Sequence, residues 1–477
     1  MSWSQHLDAH EGRYLESLSE FVSIASVSTD PARRPEMARA CDWLCAWARE
    51  QNLTAEIWPT AGHPSVYIET PAVPDKPVLL IYGHYDVQPA EDVELWTDPP
   101  FQPTVREDRL YGRGASDNKG QIWTHCAAIQ SLLAAGELPC QIKILVEGEE
   151  EVGSPNLPRL LEERRSRLGA DLVLVSDTST AVKGVPTLHY SLRGIVIFEV
   201  HLSTAGRDVH SGVFGGTSPN ATHRLAQLIA RLHDPEGRVT IPGFYDRVRI
   251  ADAREKELLE RVPFDAKVYQ EFIGCDELVG EAGFTTNERR WFRPTLDCNG
   301  LGGGFQGEGS KTIVPARAWA KFSARLVADQ QPDEVLECCR RWFEAQTWAG
   351  RIDFRADHGG PPYLLDPYGP MSGYLEKARE ALRQAWNQEP LLVRHGGAIP
   401  IVSQFQTILG LSTLLMGFGS PDDAIHSPNE KFELANFRRG LRTSCHFLAT
   451  PAGRGKRERV APLAGSSFRM AGEVSAT

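Results

Sequence analysis

The sequence LLIYGHYDVQPAED, residues 79–92, begins as a dense apolar run and turns polar at His84 and Asp86. A short apolar run of this density is typical of a strand that is buried in a sheet. In open α/β sheets, functional side chains lie just beyond the carboxyl ends of the strands. The stretch therefore predicts a buried strand with a site at the edge of the sheet where His84 and Asp86 emerge.

Two further apolar runs repeat this pattern, QIKILVEG at 141–148 and DLVLVSD at 171–177. Between the first two runs, apolar residues recur at helical spacing after Asp117, and Gly136 predicts the end of that helix. Strand-like runs that alternate with helical segments are typical of an α/β domain with parallel strands. The first 190 residues therefore predict a mixed, mostly parallel sheet.

The pattern changes after residue 193. The runs IVIFEVHL (195–202) and WAKFSARLV (319–327) alternate as half-exposed strands do. Helical patterns follow them at 220–233 and 333–347, and the strand-like run RIDFRAD (351–357) comes last. The order β-α-β-β-α-β favours a small α+β layer.

These changes in pattern predict one domain inserted within another. We expect an α/β domain built from residues 1–192 and 363–450, interrupted by an α+β domain at 193–362. A polar, charged segment at about 245–295 lies within this insertion. Residues 451–477 show little periodicity and predict a disordered tail.

Composition excludes several classes of protein. The formal net charge of the 477 residues is −11, which argues against nucleic acid as a partner. No apolar run approaches the roughly 20 residues that span a membrane, and the N-terminus lacks the features of a signal peptide. Nine cysteines without Cys-x-x-Cys spacing indicate free thiols in a reducing compartment, so we expect a cytoplasmic protein.

Acidic and imidazole groups follow the ends of the predicted strands. His84 follows the first, three consecutive glutamates at 149–151 follow the second, and Asp177 ends the third. His426 lies in the loop after STLLMGFG (412–419), and Asp117 lies in a glycine-rich turn before a helix. Taken singly, a histidine at a strand end or an acidic run is usually structural or solvated. Their joint occurrence predicts one shared site.

Converging carboxylates repel one another unless a cation compensates them. A mixture of imidazoles and carboxylates suits Zn²⁺, Mn²⁺ or Co²⁺ better than Ca²⁺. If one carboxylate bridges two ions, each ion has three protein ligands and room for water. One of the three adjacent glutamates could then accept the proton of the attacking water. Asp86 would accept a hydrogen bond from the second ring nitrogen of His84.

Six segments, GHYDVQP, LYGRGASDNKG, EGEEEVGS, DVHSGVFGG, KTIVPARAWAKFSARLV and IHSPNE, resemble motifs of a dinuclear metallopeptidase family. That family includes cytosolic nonspecific dipeptidase and carnosinase, with carboxypeptidase G, aminoacylase and succinyl-diaminopimelate desuccinylase as more distant members. The resemblance extends from about residue 10 to residue 448. It implies a catalytic domain interrupted by a lid that forms a homodimer. It also implies two divalent ions per subunit, with Zn²⁺ expected and Mn²⁺ or Co²⁺ as alternatives.

The resemblance assigns metal ligands. His84, Asp117 and Asp177 match the ligands of one ion. Asp117 also matches a ligand of the other ion, together with Glu151 and His426.

It also assigns catalytic roles. The family pattern Glu-Glu-x-Gly-Ser makes Glu150 the general base and leaves Glu149 without a role, while Asp86 matches an orienting aspartate. His210 matches a lid histidine that stabilises the oxyanion from the partner subunit.

The resemblance further points to residues that contact the substrate. Thr312 and Arg325 match lid residues that hold its carboxylate. Ala398 is the third expected substrate-binding residue, in a loop that lies near the substrate in relatives. This loop departs from the family: dipeptidases typically read Arg-Glu-Gly-Gly-Ser-Ile-Pro, and this chain reads RHGGAIP, with His395 and Ala398 at the changed positions. The hydroxyl lost at Ala398 leaves the side-chain preference and the class of substrate open.

The sequence thus predicts a metal-dependent dipeptidase that acts on dipeptides or very short peptides. An amidohydrolase acting on N-acyl or N-carbamoyl amino acids would share every metal ligand and differ in the substrate pocket. A non-catalytic metal-binding protein is the third hypothesis. The presence of Glu150, Asp86 and His210 argues against it, because a protein that only binds metal needs no base.

Overall fold

The computed structural model of the protein describes residues 1–450, apart from the side chain of His358. The tail predicted at 451–477 lies outside the described residues. The described chain divides into two compact units. The first comprises Met1–Arg193, Arg249–Arg293 and the described residues from Pro362 onward, and the second comprises Gly194–Val248 and Pro294–Pro361.

The helices in chain order are α1 Trp3–Val22, α2 Arg34–Glu50, α3 Lys119–Ala135, α4 Leu157–Glu163, α5 Arg165–Leu168, α6 Ser211–Phe214, α7 Ala221–Ile229, α8 Ala253–Glu260, α9 Ala266–Ile273, α10 Thr286–Trp291, α11 Pro332–Glu344, α12 Ser372–Trp386, α13 Pro400–Gln404 and α14 Leu434–Ala449. The strands are β1 Thr54–Trp58, β2 Ser65–Glu69, β3 Val78–His84, β4 Thr104–Arg106, β5 Arg109–Tyr111, β6 Gln141–Glu147, β7 Leu172–Val175, β8 Thr187–Leu192, β9 Gly194–Ser203, β10 Val209–His210, β11 Thr295–Gly303, β12 Ile313–Val314, β13 Arg317–Leu326, β14 Arg351–Gly360, β15 Tyr363–Leu364, β16 Leu391–His395, β17 Thr413–Leu415 and β18 Lys431–Glu433.

The first unit is built on a nine-stranded sheet in the order β1-β2-β6-β3-β7-β17-β8-β15, with β16 also paired to β8. The four central strands, β6, β3, β7 and β17, run parallel to one another. The pairings outside them are antiparallel, except that β16 runs parallel to β8. The predicted α/β class with a mixed sheet is confirmed, and its parallel part is the centre.

The three apolar runs that predicted the sheet form its central strands. Strand β3 is buried from Leu79 to His84, and β6 and β7 pair with its two edges. Helix α3 packs between α1 and α14. It ends as predicted at Gly136, which adopts the left-handed conformation (φ 67°) that glycine tolerates best. At its other end, the helix begins at Lys119, one residue after Asn118 and next to the end of β3.

The second unit has the predicted β-α-β-β-α-β order, formed by β9, α7, β11, β13, α11 and β14. Its four-stranded antiparallel sheet has the order β11-β13-β9-β14. Buried residues alternate along β9 and β13, and they form one core with apolar residues of α7 and α11. The half-exposed strands predicted there are confirmed.

Most of the polar segment that was expected inside the inserted domain is not part of the second unit. Residues 249–293 form α8, α9 and α10 and belong to the first unit. The guanidinium of Arg394 in β16 pairs with the buried carboxylate of Glu255 in α8. Trp291 and Phe292 share a small apolar cluster with Val393. Because these contacts join residues that lie far apart along the chain, the polar composition of the segment gave no indication of them.

No helix within residues 1–450 combines the length and the apolar character that crossing a membrane requires.

Candidate metal centre

The site lies where the central strands of the first unit end. Strands β6, β3 and β7 are adjacent and parallel, and His84 in β3 is in register with Glu147 in β6. Tyr82 in β3 is in register with Val175, the last residue of β7. The residues that follow these strands therefore emerge at the same edge, as the sequence predicted.

One set of three candidate ligands surrounds His84. Its Nε2 atom lies 3.1 Å from Oδ1 of Asp117 and 3.7 Å from Oδ1 of Asp177. One donor atom from each residue lies within 4.8 Å of the other two. His84 is fully buried at the end of β3. Asp117 is placed by the turn before α3, and Asp177 follows β7.

A second set shares Asp117. The Nε2 atom of His426 lies 2.9 Å from Oδ2 of Asp117 and 3.2 Å from Oε2 of Glu151. These donors also lie within 4.8 Å of one another. The two oxygens of Asp117 thus face different histidines, the arrangement that a carboxylate bridging two cations requires. The five residues predicted as metal ligands lie together.

The pKa values of the cluster reflect the close approach of its carboxylates. Burial raises the pKa of Glu150 well above its usual value, and the carboxylates of Asp177 and Asp117 add to this effect. Hydrogen bonds with Asp117 and Glu151 raise the pKa of His426 to about 10. Protons therefore compensate the converging carboxylates when no other cation does so. This donor set fits a pair of divalent cations.

We expect metal binding to displace these protons. With a pKa of about 10, His426 is protonated at pH 7 in the metal-free protein, yet only the neutral imidazole can bind a metal. Binding should release protons, and the apparent affinity should rise with pH up to that value. Calorimetric titrations with Zn²⁺ at pH 7, in two buffers of different ionisation enthalpy, should give different heats. Equal heats would contradict the prediction. His223→Ala, which changes an exposed histidine, should release as many protons as the unchanged protein.

Asp86 and the three glutamates occupy distinct positions. The Asp86 carboxylate accepts hydrogen bonds from the backbone N–H groups of Glu150 (3.3 Å) and Glu151 (3.1 Å). The Nδ1 atom of His84 lies 3.0 Å from the backbone carbonyl oxygen of Asp86 and 3.4 Å from its Oδ1. The predicted contact between His84 and Asp86 is thus made mainly through the backbone of Asp86. Glu149 turns away and accepts hydrogen bonds from the Asn156 amide, at 3.0 and 2.9 Å.

Two residues that orient the candidate ligands were missed by the sequence analysis. The side-chain amide of Asn118 donates to Oδ1 of Asp177 at 2.7 Å. The side-chain amide of Gln88 donates to Oε2 of Glu151 at 2.8 Å. Both lie inside the quoted motifs, Asn118 directly after Asp117 and Gln88 two residues after Asp86, and this proximity was the available signal. Such contacts fix the orientation of a ligand oxygen.

Three predicted site residues belong to the second unit. His210 is exposed at the end of β10, and its Nδ1 accepts a hydrogen bond from the N–H of Gly212 at 3.0 Å. Its Nε2 therefore carries the ring proton in the neutral form. Thr312 is exposed, and its carbonyl oxygen accepts a hydrogen bond from the N–H of Ser211. Arg325 is partly buried in β13, and burial lowers its pKa.

The loop that departs from the family lies between β16 and α13 in the first unit. Ala398 is half-buried there. His395 accepts a hydrogen bond at Nδ1 from the N–H of Gly397, at 3.1 Å. Burial, followed by the nearby His189 and Arg193, lowers the pKa of His395 to about 3. The side chain is therefore uncharged at neutral pH.

Comparisons with known proteins place these observations in context. A model of peptidase family M20/M25/M40 matches residues 80–450. Cys-Gly metallodipeptidase dug1 of Schizosaccharomyces pombe is 31% identical over 460 residues, which cover 93% of this chain and 96% of the relative. Beta-Ala-His dipeptidase of Homo sapiens is 30% identical over 470 residues, covering 93% and 91%. Among solved structures, the M20 family metallo-carboxypeptidase Sso-CP2 from Sulfolobus solfataricus shares 32% identity with a TM-score of 0.81, covering 91% of this chain and 98% of that one.

Proposed function

Because this chain belongs to peptidase family M20/M25/M40 and is therefore a hydrolase, we propose that it is a metal-dependent dipeptidase. Its substrates would be dipeptides or very short peptides, in keeping with the names of the relatives from Schizosaccharomyces pombe and Homo sapiens. The observation that carries this proposal is the convergence of five histidine and carboxylate side chains, in two sets that share Asp117. Membership of a peptidase family argues against the hypothesis of a non-catalytic protein.

Two divalent ions would be held by the two sets of ligands. One would bind His84, Asp117 and Asp177. The other would bind Asp117, Glu151 and His426. Mixed nitrogen and oxygen donors favour Zn²⁺, although Mn²⁺ and Co²⁺ accept the same ligands. When bound, such a pair of ions ionises a shared water and stabilises negative charge on the carbonyl oxygen of the substrate.

We assign Glu150 the role of general base. Its carboxylate belongs to neither ligand set, so it is available to accept a proton from the attacking water. It would then pass the proton to the leaving amine. The hydrogen bond from its backbone N–H to Asp86 supports this role, because it anchors the loop that presents the Glu150 carboxylate.

The second unit would contribute substrate contacts. Arg325 suits a carboxylate terminus, since a guanidinium can grip a carboxylate with two hydrogen bonds, and Thr312 would assist it. The Nε2–H group of His210 would donate to the oxyanion as charge develops there. A homodimer formed through the inserted domain would let this histidine act in the partner's site. The dimer, the cytoplasmic location and the domain boundaries at 193 and 362 remain predictions.

Replacing His210 by alanine should lower kcat by about 10²–10³-fold and change KM much less, because an oxyanion donor acts in the transition state. Steady-state kinetics on a dipeptide checks this result. The matched control is His223→Ala, an exposed histidine of the same unit, which should leave both constants unchanged. A rise in KM alone would contradict the oxyanion role.

A mixing experiment tests whether His210 acts across subunits. Neither His210→Ala nor Glu150→Ala should have substantial activity alone. After the two variants are mixed and allowed to exchange subunits, a heterodimer should contain one site with both residues intact. Recovered activity supports the proposal. No recovery, despite subunit exchange demonstrated with labelled protein, would contradict it.

One observation favours the alternative amidohydrolase. Where dipeptidases typically carry glutamate, this chain carries His395, whose side chain is uncharged and lies close to Arg193. A loop without that carboxylate is less suited to a substrate ammonium group. An N-acyl or N-carbamoyl amino acid has no free amine, so it would not need a carboxylate at this position.

A substrate panel separates the two functions. The protein, stripped of metal and reloaded with Zn²⁺ or Mn²⁺, is tested on unblocked dipeptides, N-acetyl amino acids and N-carbamoyl amino acids, with Glu150→Ala as the inactive control. Metal-dependent release of amino acids from dipeptides alone supports the dipeptidase. Cleavage of only the blocked amino acids would overturn it in favour of the amidohydrolase.

A further inference from the structure

Glu430 is a buried carboxylate four residues beyond His426. Its Oε2 atom accepts hydrogen bonds from Nη1 of Arg113 at 2.8 Å and from the backbone N–H of Gly114 at 3.0 Å. Its Oε1 atom accepts the backbone N–H groups of Ser116 at 3.0 Å and Asp117 at 3.1 Å. Four donors thus converge on one side chain.

These contacts determine the shape of the turn that carries Asp117. The turn is neither helix nor strand, and Gly114 has the left-handed φ of 86°. Its N–H groups lie in the interior, where an unpaired donor costs about 1–3 kcal/mol. Glu430 supplies the acceptor for three of them. The backbone position of Asp117 therefore depends on the Glu430 carboxylate.

The Glu430 carboxylate is also connected, through Arg113, to Glu151 of the second set. Besides its contact with Glu430, Arg113 donates from Nη2 to the carbonyl oxygen of Pro89 at 3.3 Å. The preceding residue, Gln88, donates to Oε2 of Glu151. His426 is linked to Glu430 by only three intervening residues. All three side chains of the second set are thus connected to Glu430.

We propose that Glu430 is a positioning residue that holds Asp117, Glu151 and His426 in the arrangement needed for metal binding. This inference rests on the proposed dinuclear site. Glu430 would touch neither ion. Its role is to fix the backbone of the shared ligand and the loop of His426, so that both ions depend on it.

The test is the affinity for metal of Glu430→Gln. A glutamine has the same size, but its NH₂ group cannot accept a hydrogen bond, so one pair of donors loses its acceptor. The matched control is Glu433→Gln, a carboxylate of the same segment that pairs with Lys431, Arg109 and Lys183. Stepwise Co²⁺ binding is followed by competition with a chromophoric chelator and by the visible spectrum of the bound ions. Thermal unfolding of the metal-free proteins is measured in parallel.

We expect Glu430→Gln to weaken both binding steps by about 10–100-fold and to change the spectrum at saturation, as the loss of contacts that orient metal ligands does. Glu433→Gln should match the unchanged protein. Lower thermal stability with unchanged affinities and spectrum would mean a purely structural role and would overturn the inference. If Glu430→Gln does not fold, Glu430→Asp, which keeps the charge on a shorter side chain, must show weakened binding for the inference to stand. Failure of the unchanged protein to bind two ions would instead overturn the dinuclear site itself.

Discussion

Replacing Asp117 by alanine should remove both metal ions and lower peptide hydrolysis by roughly 10⁴-fold or more. Asp117 is common to both ligand sets, each of its oxygens facing a different histidine. A bound ion supplies several kcal/mol of transition-state stabilisation, and each 1.4 kcal/mol is a factor of about ten in rate. The loss of both ions should therefore leave almost no activity.

Metal content after dialysis separates this prediction from a general loss of structure. Asp42→Ala, which changes an exposed aspartate in α2, should keep two ions per subunit. Asp177→Ala removes a ligand from one set only and should keep one ion. The circular dichroism spectra of all three variants should resemble that of the unchanged protein. If Asp117→Ala retained one tightly bound ion, a bridging role for Asp117 would be wrong.

The second large effect is expected from Glu150→Gln. General-base catalysis contributes about 10²–10⁴-fold, so turnover should fall by that factor. Metal content should stay at two ions per subunit, because Glu150 is in neither ligand set. Steady-state kinetics and elemental analysis of the same preparation check both parts.

The two neighbouring glutamates serve as matched controls. Glu149→Gln changes a side chain that contacts Asn156 and should retain most of the activity. Glu151→Gln should lose one ion. If Glu150→Gln kept substantial turnover while Glu149→Gln lost it, the base would be Glu149.

Much of this site could be predicted because hydrophobic periodicity locates strand ends. Parallel strands bring their carboxyl ends to one edge, so the amino-acid sequence alone places His84, Glu151 and Asp177 near one another. Asp117 and His426 lie in loops, so they were included in the shared site because they occur with the other three, and the resemblance to a family then assigned each of them to an ion. Periodicity alone gives no position for a loop residue.

Other features depend on contacts that leave no trace in local sequence patterns. Asn118 was not identified, because an amide beside an aspartate is common in turns. The Asp86 carboxylate lies 3.4 Å from Nδ1 of His84, as predicted, but it also accepts hydrogen bonds from the backbone N–H groups of Glu150 and Glu151, which were not predicted. The attachment of residues 249–293 to the first unit depends on the pairing of Glu255 with Arg394. Pairing across such a separation is fixed by the packed structure and cannot be derived from composition.

The strand order of the central sheet has a consequence for synthesis on the ribosome. Strand β17 is inserted between β7 and β8, although about 220 residues separate β8 from β17 along the chain. At 5–20 residues per second, translation leaves roughly 10–45 s during which β7 and β8 have emerged and their common neighbour has not. Exposed apolar strand edges promote aggregation. The central sheet can therefore reach its final strand order only after residue 413 has emerged, and a chain truncated before that residue lacks the strand that joins β7 to β8.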